Sequence, residues 1–275
     1  MTRPESLHDE LGPAARRRVR LVTGVAVVAL AVATAVVVLR LREQGQFAPE
    51  KWSPLFNPFD PTFSTAWRFL LGGLSNTAMA GLLAIVLSLV IGTLLAITRV
   101  TAGRAFGWIV TALMETFRAV PVVISIFFVS RFLPIIGVDL PLLWYLIIGL
   151  TLYNSIAIAE IVRAGILAVP RGQSEAAAAL GLSGAATMRL IVLPQALRVM
   201  LPALISQMVI VVKDTALGFI IGFEELLRRG EIAVQTLGNP LQMYLLIAAM
   251  FIAVNYSLSR LAELVERRLS AAEKP

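Results

Sequence analysis

The sequence has no cysteine and a single histidine. Without thiols, neither a disulfide framework nor a thiolate metal site can form, and the redox compartment is left open. His8 stands alone in a polar tail, where it supports neither a metal site nor a proton relay. No G-x-x-x-x-G-K-[ST] phosphate loop occurs, so the chain carries no nucleotide cradle of that kind. Also missing is the clustered nucleophile–base or metal-ligand set that a membrane-embedded enzyme needs. Charge is scarce: 15% of the 275 residues are charged and 58% are hydrophobic, too apolar a balance to keep a soluble surface. Several uninterrupted apolar runs reach membrane-spanning length, so this is an integral membrane protein. Its formal charge of +7 does not point to nucleic acid, because the Lys and Arg are dispersed among loops between spans.

The first apolar run, 21–39 "LVTGVAVVALAVATAVVVL", has nineteen residues and no charge. The preceding "ARRRVR" resembles a signal-peptide n-region. The run is longer than an h-region, however, and no clear small-x-small cleavage site followed by a soluble domain appears, so it reads as a retained span. Residues 40–68 form a polar connector with Pro49, Pro54, Pro58 and Pro61, which argue against one continuous helix. Its rings, Trp52, Phe56, Phe59, Phe63 and Trp67, suit an interfacial belt. Further spans are expected at 69–98, 108–133, 140–166, 197–223 and 241–260, the 108–133 run being interrupted by Glu115, Arg118 and Pro121. With six spans and tail 1–20 inside, fifteen Lys and Arg fall in inner segments and seven in outer ones. That asymmetry places both termini, including tail 265–275, in the cytoplasm.

Within the 69–98 span, Ala80, Ala84, Ser88, Gly92 and Ala96 recur every four residues. They make a small-residue ridge where another backbone can approach closely, so this span is expected to pack against protein. The 21–39 run has no such ridge and no polar group beyond Thr23 and Thr34, and reads as a peripheral addition to a five-span core.

Between two spans lies 172–195, "GQSEAAAALGLSGAATMRLIVLPQ". Ala-rich sequence is strongly helix-forming, and Ala177, Gly181 and Ala185 at four-residue spacing would give one helix face almost no bulk. Gly172 and Gly184, with Pro170 and Pro194 outside them, are expected breakers at or beyond its ends. A smooth helix led by Glu175 suits docking into a groove on another protein. The alternative is an amphipathic helix lying on lipid, which needs a large apolar face flanked by basic residues.

The order Glu175-Ala176-Ala177, three residues, Gly181, nine residues, then Ile191-Val192-Leu193-Pro194 resembles the EAA loop of bacterial ABC-importer permeases. "AEIVRAGILAVPRGQSEAAAALG", "LPQALRVMLPALISQMVIVVKDTALG" and "FRAVPVVISIFF" are similar to the polar-amino-acid branch of that family. The sequence departs from the branch at Ala119, Val120, Ala157 and Ala216, which bears on substrate rather than on family. The resemblance implies an all-α integral membrane fold: a five-span type I importer core at 69–264, one extra N-terminal span, and a cytoplasmic coupling helix in the EAA loop. Gly172, Gln173, Glu175, Ala176, Ala177, Gly181, Leu193 and Pro194 would contact an ATP-binding subunit on the cytoplasmic face. By the same resemblance that partner would use the ATP and Mg, and this chain would bind no cofactor and be a non-catalytic subunit of the bacterial plasma membrane. A second permease subunit (a paralogue or another copy), an extracellular or lipid-anchored solute-binding protein, the amino acid and membrane lipid complete the expected partners, with no nucleic acid. The whole chain is most similar to glutamate-importer permeases of the actinobacterial type, with glutamine, arginine and histidine open as substrates. From a different class, the alternative is a self-contained secondary carrier, but such carriers usually show two related halves and the Ala/Gly loop has no second copy.

Ionisable groups inside spans mark a pathway or a pair. Arg118 lies about ten residues into its run, on the order of 15 Å at the helical rise. It is a candidate to bind a carboxylate or, alternatively, to pair with Glu115 on the same face. Glu160 could receive an α-ammonium, though Arg163 three residues on offers it a partner. Lys213, Asp214, Thr215 and Gln207, with Asn154 and Ser155, either line the pathway or tie helices together. In the C-terminal extension, Glu263 and Arg267 are placed to pair at i+4.

Overall fold

The computed structural model describes residues 12–101 and 103–271, and every regular element among them is helical. Residues 1–11, with His8, and residues 272–275 of the expected tails lie outside the described residues, as does the side chain of Arg267. The chain divides into two compact units, residues up to Ser53 and from Pro54 onward.

In the first unit, α1 (Pro13–Glu43) contains the whole 21–39 run and buries no residue. It ends at Gln44, with Gly45 left-handed at φ +64°. The Trp52 indole donates to the Gln46 carbonyl at 3.0 Å, near the start of α2 (Pro49–Phe56).

In the second unit, the prolines of the connector interrupt the helix as expected. Asp60 accepts from the Thr62 N–H at 2.8 Å and starts α3 (Phe63–Thr101). This 39-residue helix is the axis of the unit. Ala80, Ala84, Ser88 and Ala96 of the small-residue ridge are fully buried. At Gly92 a Cβ would sit 2.6 Å from the Ser155 carbonyl oxygen and 2.8 Å from Ile158 Cγ2. The missing side chain is what lets α6 (Leu142–Ala168) lie directly on α3, because small residues allow backbones to approach.

The third expected span is two helices. α4 (Arg104–Arg118) and α5 (Val122–Ile135) meet at a bend of 98°. Pro121 lacks the N–H that would continue the ladder and disfavours helical geometry at Val120 before it. The straight-helix depth expected for Arg118 is therefore corrected: it closes α4 at the break. The two halves join different cores. Val110 and Met114 of α4 pack with Ala96, Ile156, Ile158 and Val162, whereas Ile126 of α5 packs with Ala80, Ala84, Leu146 and Leu150. At Gly149 a Cβ would lie 2.6 Å from Ile126 Cα, a second contact that needs glycine.

After α6 come α7 (Arg171–Ala179) and α8 (Gly184–Thr187). A π-helical stretch, Met188–Val192, then leads into α9 (Leu193–Asp214). The helical rod that covers residues 197–221 of the expected 197–223 span starts at Gly184 and ends at Ile221. Pro194 does not break it, contrary to expectation: the wider π turn lies where the proline ring would meet the carbonyl four residues back. The Gln195 side-chain amide donates to the Ile191 carbonyl at 2.9 Å. Nor do the glycines break a helix, since Gly172 lies inside α7 and Gly184 opens α8 behind the N-cap Ser183. A 3-10 segment, Thr215–Ile221, then leads to α10 (Leu226–Leu237) and α11 (Pro240–Ala271). The described residues thus hold five helices long and apolar enough to cross a membrane, or six with the bent pair as one span.

Candidate functional site

Two regions carry the polar chemistry: the loop around α7 and the charged or amide side chains along α4, α6 and α9.

α7 starts after Pro170 and stops in a tight turn. Gly181, at φ +78°, donates to the Ala178 carbonyl at 2.9 Å, and Leu182 donates to the Ala177 carbonyl at 3.1 Å. This paired closure on a left-handed glycine is the Schellman arrangement. It corrects the expectation of one smooth helix face through Ala177, Gly181 and Ala185, because Gly181 ends the helix and Ala185 belongs to α8. Ala177 is 3% exposed and anchors α7; the rest of the helix, with Gly172, Gln173, Glu175 and Ala176, is exposed. Leu180, directly after it, is 83% exposed, an apolar prominence the sequence reasoning did not single out. Gln195 at the start of α9 donates to Gln173 Oε1 at 3.4 Å, tying the two ends of the loop. Leu193 and Pro194 form the first turn of α9.

Along the spans, the structure joins some of the expected residues and leaves others apart. Glu160 accepts two hydrogen bonds from Arg163, at 2.8 and 3.0 Å, so the expected pair is present. Arg99 of α3 completes an ion-pair triad on the other carboxylate oxygen. The sequence showed Arg99 only as a loop-end basic residue; nothing local linked it to Glu160. Asn154 is 0% exposed. Its carbonyl accepts from the Gln207 amide at 2.8 Å, and its own amide donates to the Leu150 carbonyl at 2.9 Å, which joins α6 to α9. Ser155 donates to the Leu152 carbonyl and Thr215 to the Val212 carbonyl, both within their own chain turns. Arg118 and Lys213 are exposed and Asp214 is half-buried. Glu115, also exposed, forms no ion pair with Arg118 among the described residues. In the C-terminal extension, Glu263 pairs with Arg260 at 3.0 Å.

Chemically, the triad and the Asn154–Gln207 bond are internally satisfied and hold helices together. Arg118 is different: an exposed guanidinium at the end of one half-helix and beside the start of another, with no ion pair among the described residues. Non-helical backbone at membrane depth is tolerated where it is buried in protein or lines a water-filled cavity.

Residues 84–271 match the family of binding-protein-dependent transport system inner membrane components. The glutamate transport system permease protein GluD of Corynebacterium glutamicum is 40% identical over 235 residues, covering 84% of each chain. The probable glutamine ABC transporter permease protein GlnP of Bacillus subtilis is 36% identical, covering 73% of this chain and 93% of its own. Among solved structures, the crystal structure of an amino acid ABC transporter with histidines superposes with a TM-score of 0.69 at 28% identity. It covers 75% of this chain and 97% of that one. The chain belongs to the family of binding-protein-dependent transport system inner membrane components.

Proposed function

We propose that this permease subunit serves an ATP-driven importer of glutamate, docking an ATP-binding partner on the loop around α7 and receiving the amino acid from a solute-binding protein. The observation that carries the coupling assignment is α7 itself: a nine-residue helix that buries only Ala177. Its exposed faces are Ala-rich, with Glu175 ahead and Leu180 behind. A helix so little buried within its own chain is suited to a groove on another protein. Its few apolar side chains make a poor lipid-binding face.

The sidedness follows from the basic residues. α7 lies on the side richer in Lys and Arg, which is the cytoplasmic one, with both termini on the same side. In the pathway, Arg118 receives the carboxylate of the passing amino acid, since guanidinium binds carboxylate through two parallel hydrogen bonds. Glu160, Asn154 and Gln207 act as structural ties, Ser155 and Thr215 bond within their own turns, and Lys213 and Asp214 remain pathway candidates. The glutamate assignment is supported by the relatives described above. The test is calorimetric titration of the cognate solute-binding protein with glutamate, glutamine, arginine and histidine. Preferential glutamate binding is expected. Preference for another of the four reassigns the substrate, and binding of none overturns the amino-acid importer.

A further inference from the structure

α7 is joined to the spans on two sides, and the two joints differ. On one side the link to α6 is extended backbone at Val169 and Pro170, which bends easily. On the other, α7 packs on α8 and on the π-helical stretch Met188–Val192. That stretch is anchored inward: Val192 is 5% exposed, and Met188 lies against the same buried cluster, with Val162 of α6 and Ala196 and Met200 of α9. Directly beyond it α9 is seated closely on α6, since a Cβ on Gly165 would lie 3.0 Å from Met200 Cβ and 3.2 Å from the Ala196 carbonyl oxygen. Farther along, the Gln207–Asn154 bond ties the same two helices again.

One side chain spans the second joint. Gln195, half-buried in the first turn of α9, donates from its amide nitrogen Nε2 to the Ile191 carbonyl at 2.9 Å and to Gln173 Oε1 of α7 at 3.4 Å. The amide NH2 carries two hydrogens, so both bonds form at once. Ile191 lies where the ordinary helical ladder is displaced: the Leu193 N–H donates to the Met188 carbonyl at π spacing, and Pro194 has no N–H to offer. The shorter bond fixes the Gln195 side chain on the π stretch. The longer one reaches α7 and changes length as α7 moves.

We propose that Gln195 is the positioning residue through which α7 drives α9. Its amide clamps Gln173 to the π stretch, so a movement of α7 imposed by the ATP-binding partner is delivered to α9, and to α6 with it, instead of being absorbed at the loop. The proposal rests on the docking of that partner at α7, and assigns Gln195 a role in transmission rather than in docking.

The test measures amino acid taken up per ATP hydrolysed by the complete importer in proteoliposomes, using the amino acid that its solute-binding protein binds. Co-purification of the ATP-binding subunit is recorded for every variant. Gln195→Met keeps the side-chain length and removes both donors. It is expected to assemble and to hydrolyse ATP, with uptake per ATP lowered roughly threefold or more, the scale of one hydrogen bond. Gln195→Lys combined with Gln173→Glu replaces the amide pair with a charge-assisted one and is expected to restore most of the lost ratio; Gln195→Met combined with Gln173→Glu is not. Unchanged uptake per ATP in Gln195→Met overturns the proposal while leaving the docking reading intact. So does a loss that the charged pair fails to restore, or one accompanied by loss of the ATP-binding subunit. If the unaltered chain recruits no ATP-binding subunit, the docking reading itself fails and the proposal falls with it.

Discussion

Replacing Gly92 with alanine adds one methyl group, and the structure says where it must go. The new Cβ would stand 2.6 Å from the Ser155 carbonyl oxygen and 2.8 and 2.9 Å from Ile158 Cγ2 and Cβ. Backbone oxygen and a β-branched side chain cannot rotate out of the way, so α3 and α6 must separate along their main interface. Overpacking of this kind costs about 1–3 kcal/mol, partly offset by the ~1 kcal/mol that Ala gains over Gly inside a helix. Gly24 in α1 and Gly172 in α7 supply the controls, since a Cβ at either would meet nothing within 4 Å. Gly24→Ala and Gly172→Ala should be neutral or stabilising by the propensity difference alone. Thermal unfolding in one detergent, followed by tryptophan fluorescence, compares the three. A Gly92→Ala variant as stable as Gly172→Ala would refute the claim that the glycine is required by the α3–α6 contact.

Gly181→Leu should destabilise the loop by about 1–2 kcal/mol through left-handed backbone strain, and Gly181→Asn by less; equal losses in limited proteolysis of the two variants would locate the cost elsewhere. Glu160→Gln leaves Arg99 and Arg163 without their shared carboxylate. It should lower membrane abundance, at a fraction of the ~3–5 kcal/mol typical of a fully buried pair, while uptake per molecule stays near normal; reduced uptake at unchanged abundance would make Glu160 a pathway residue. Arg118→Ala should lower uptake per molecule with abundance retained, and Arg118→Lys should fall between, since the ammonium lacks the planar two-pronged geometry. Glu115→Gln should be near neutral. Recovery of transport in the double variant Glu115→Gln with Arg118→Gln would show a pair that the structure does not contain.

The span positions were legible in the sequence because each apolar run is a local property. The ridge from Ala80 to Ala96 was legible because four-residue spacing fixes one face of a helix whatever packs on it. The partners were not. Arg99 and Glu160 are 61 residues apart in sequence and Asn154 and Gln207 are 53 apart, so only the tertiary fold brings them together. Gly181 was ambiguous in a different way: glycine serves equally as a bulk-free position on a helix face and as its left-handed terminator. Pro194 read as a breaker because nothing in one sequence shows that a wider π turn will accommodate it. At Pro121 the sequence was read only as an interruption of apolar character within one span; the 98° break depends on α4 and α5 packing into separate cores.

The central claim is that ATP-driven uptake passes through α7. Its most direct test is amino-acid uptake and ATP hydrolysis in proteoliposomes holding the complete importer, with the loaded solute-binding protein on one side and ATP on the other. Glu175 is exposed and forms no hydrogen bond or ion pair among the described residues, so Glu175→Arg should fold and insert normally. The account predicts ATP-dependent glutamate uptake with the unaltered chain, and joint loss of uptake and substrate-stimulated hydrolysis in Glu175→Arg. Uptake that proceeds without ATP, or a Glu175→Arg importer that transports and hydrolyses as the unaltered one does, would contradict it.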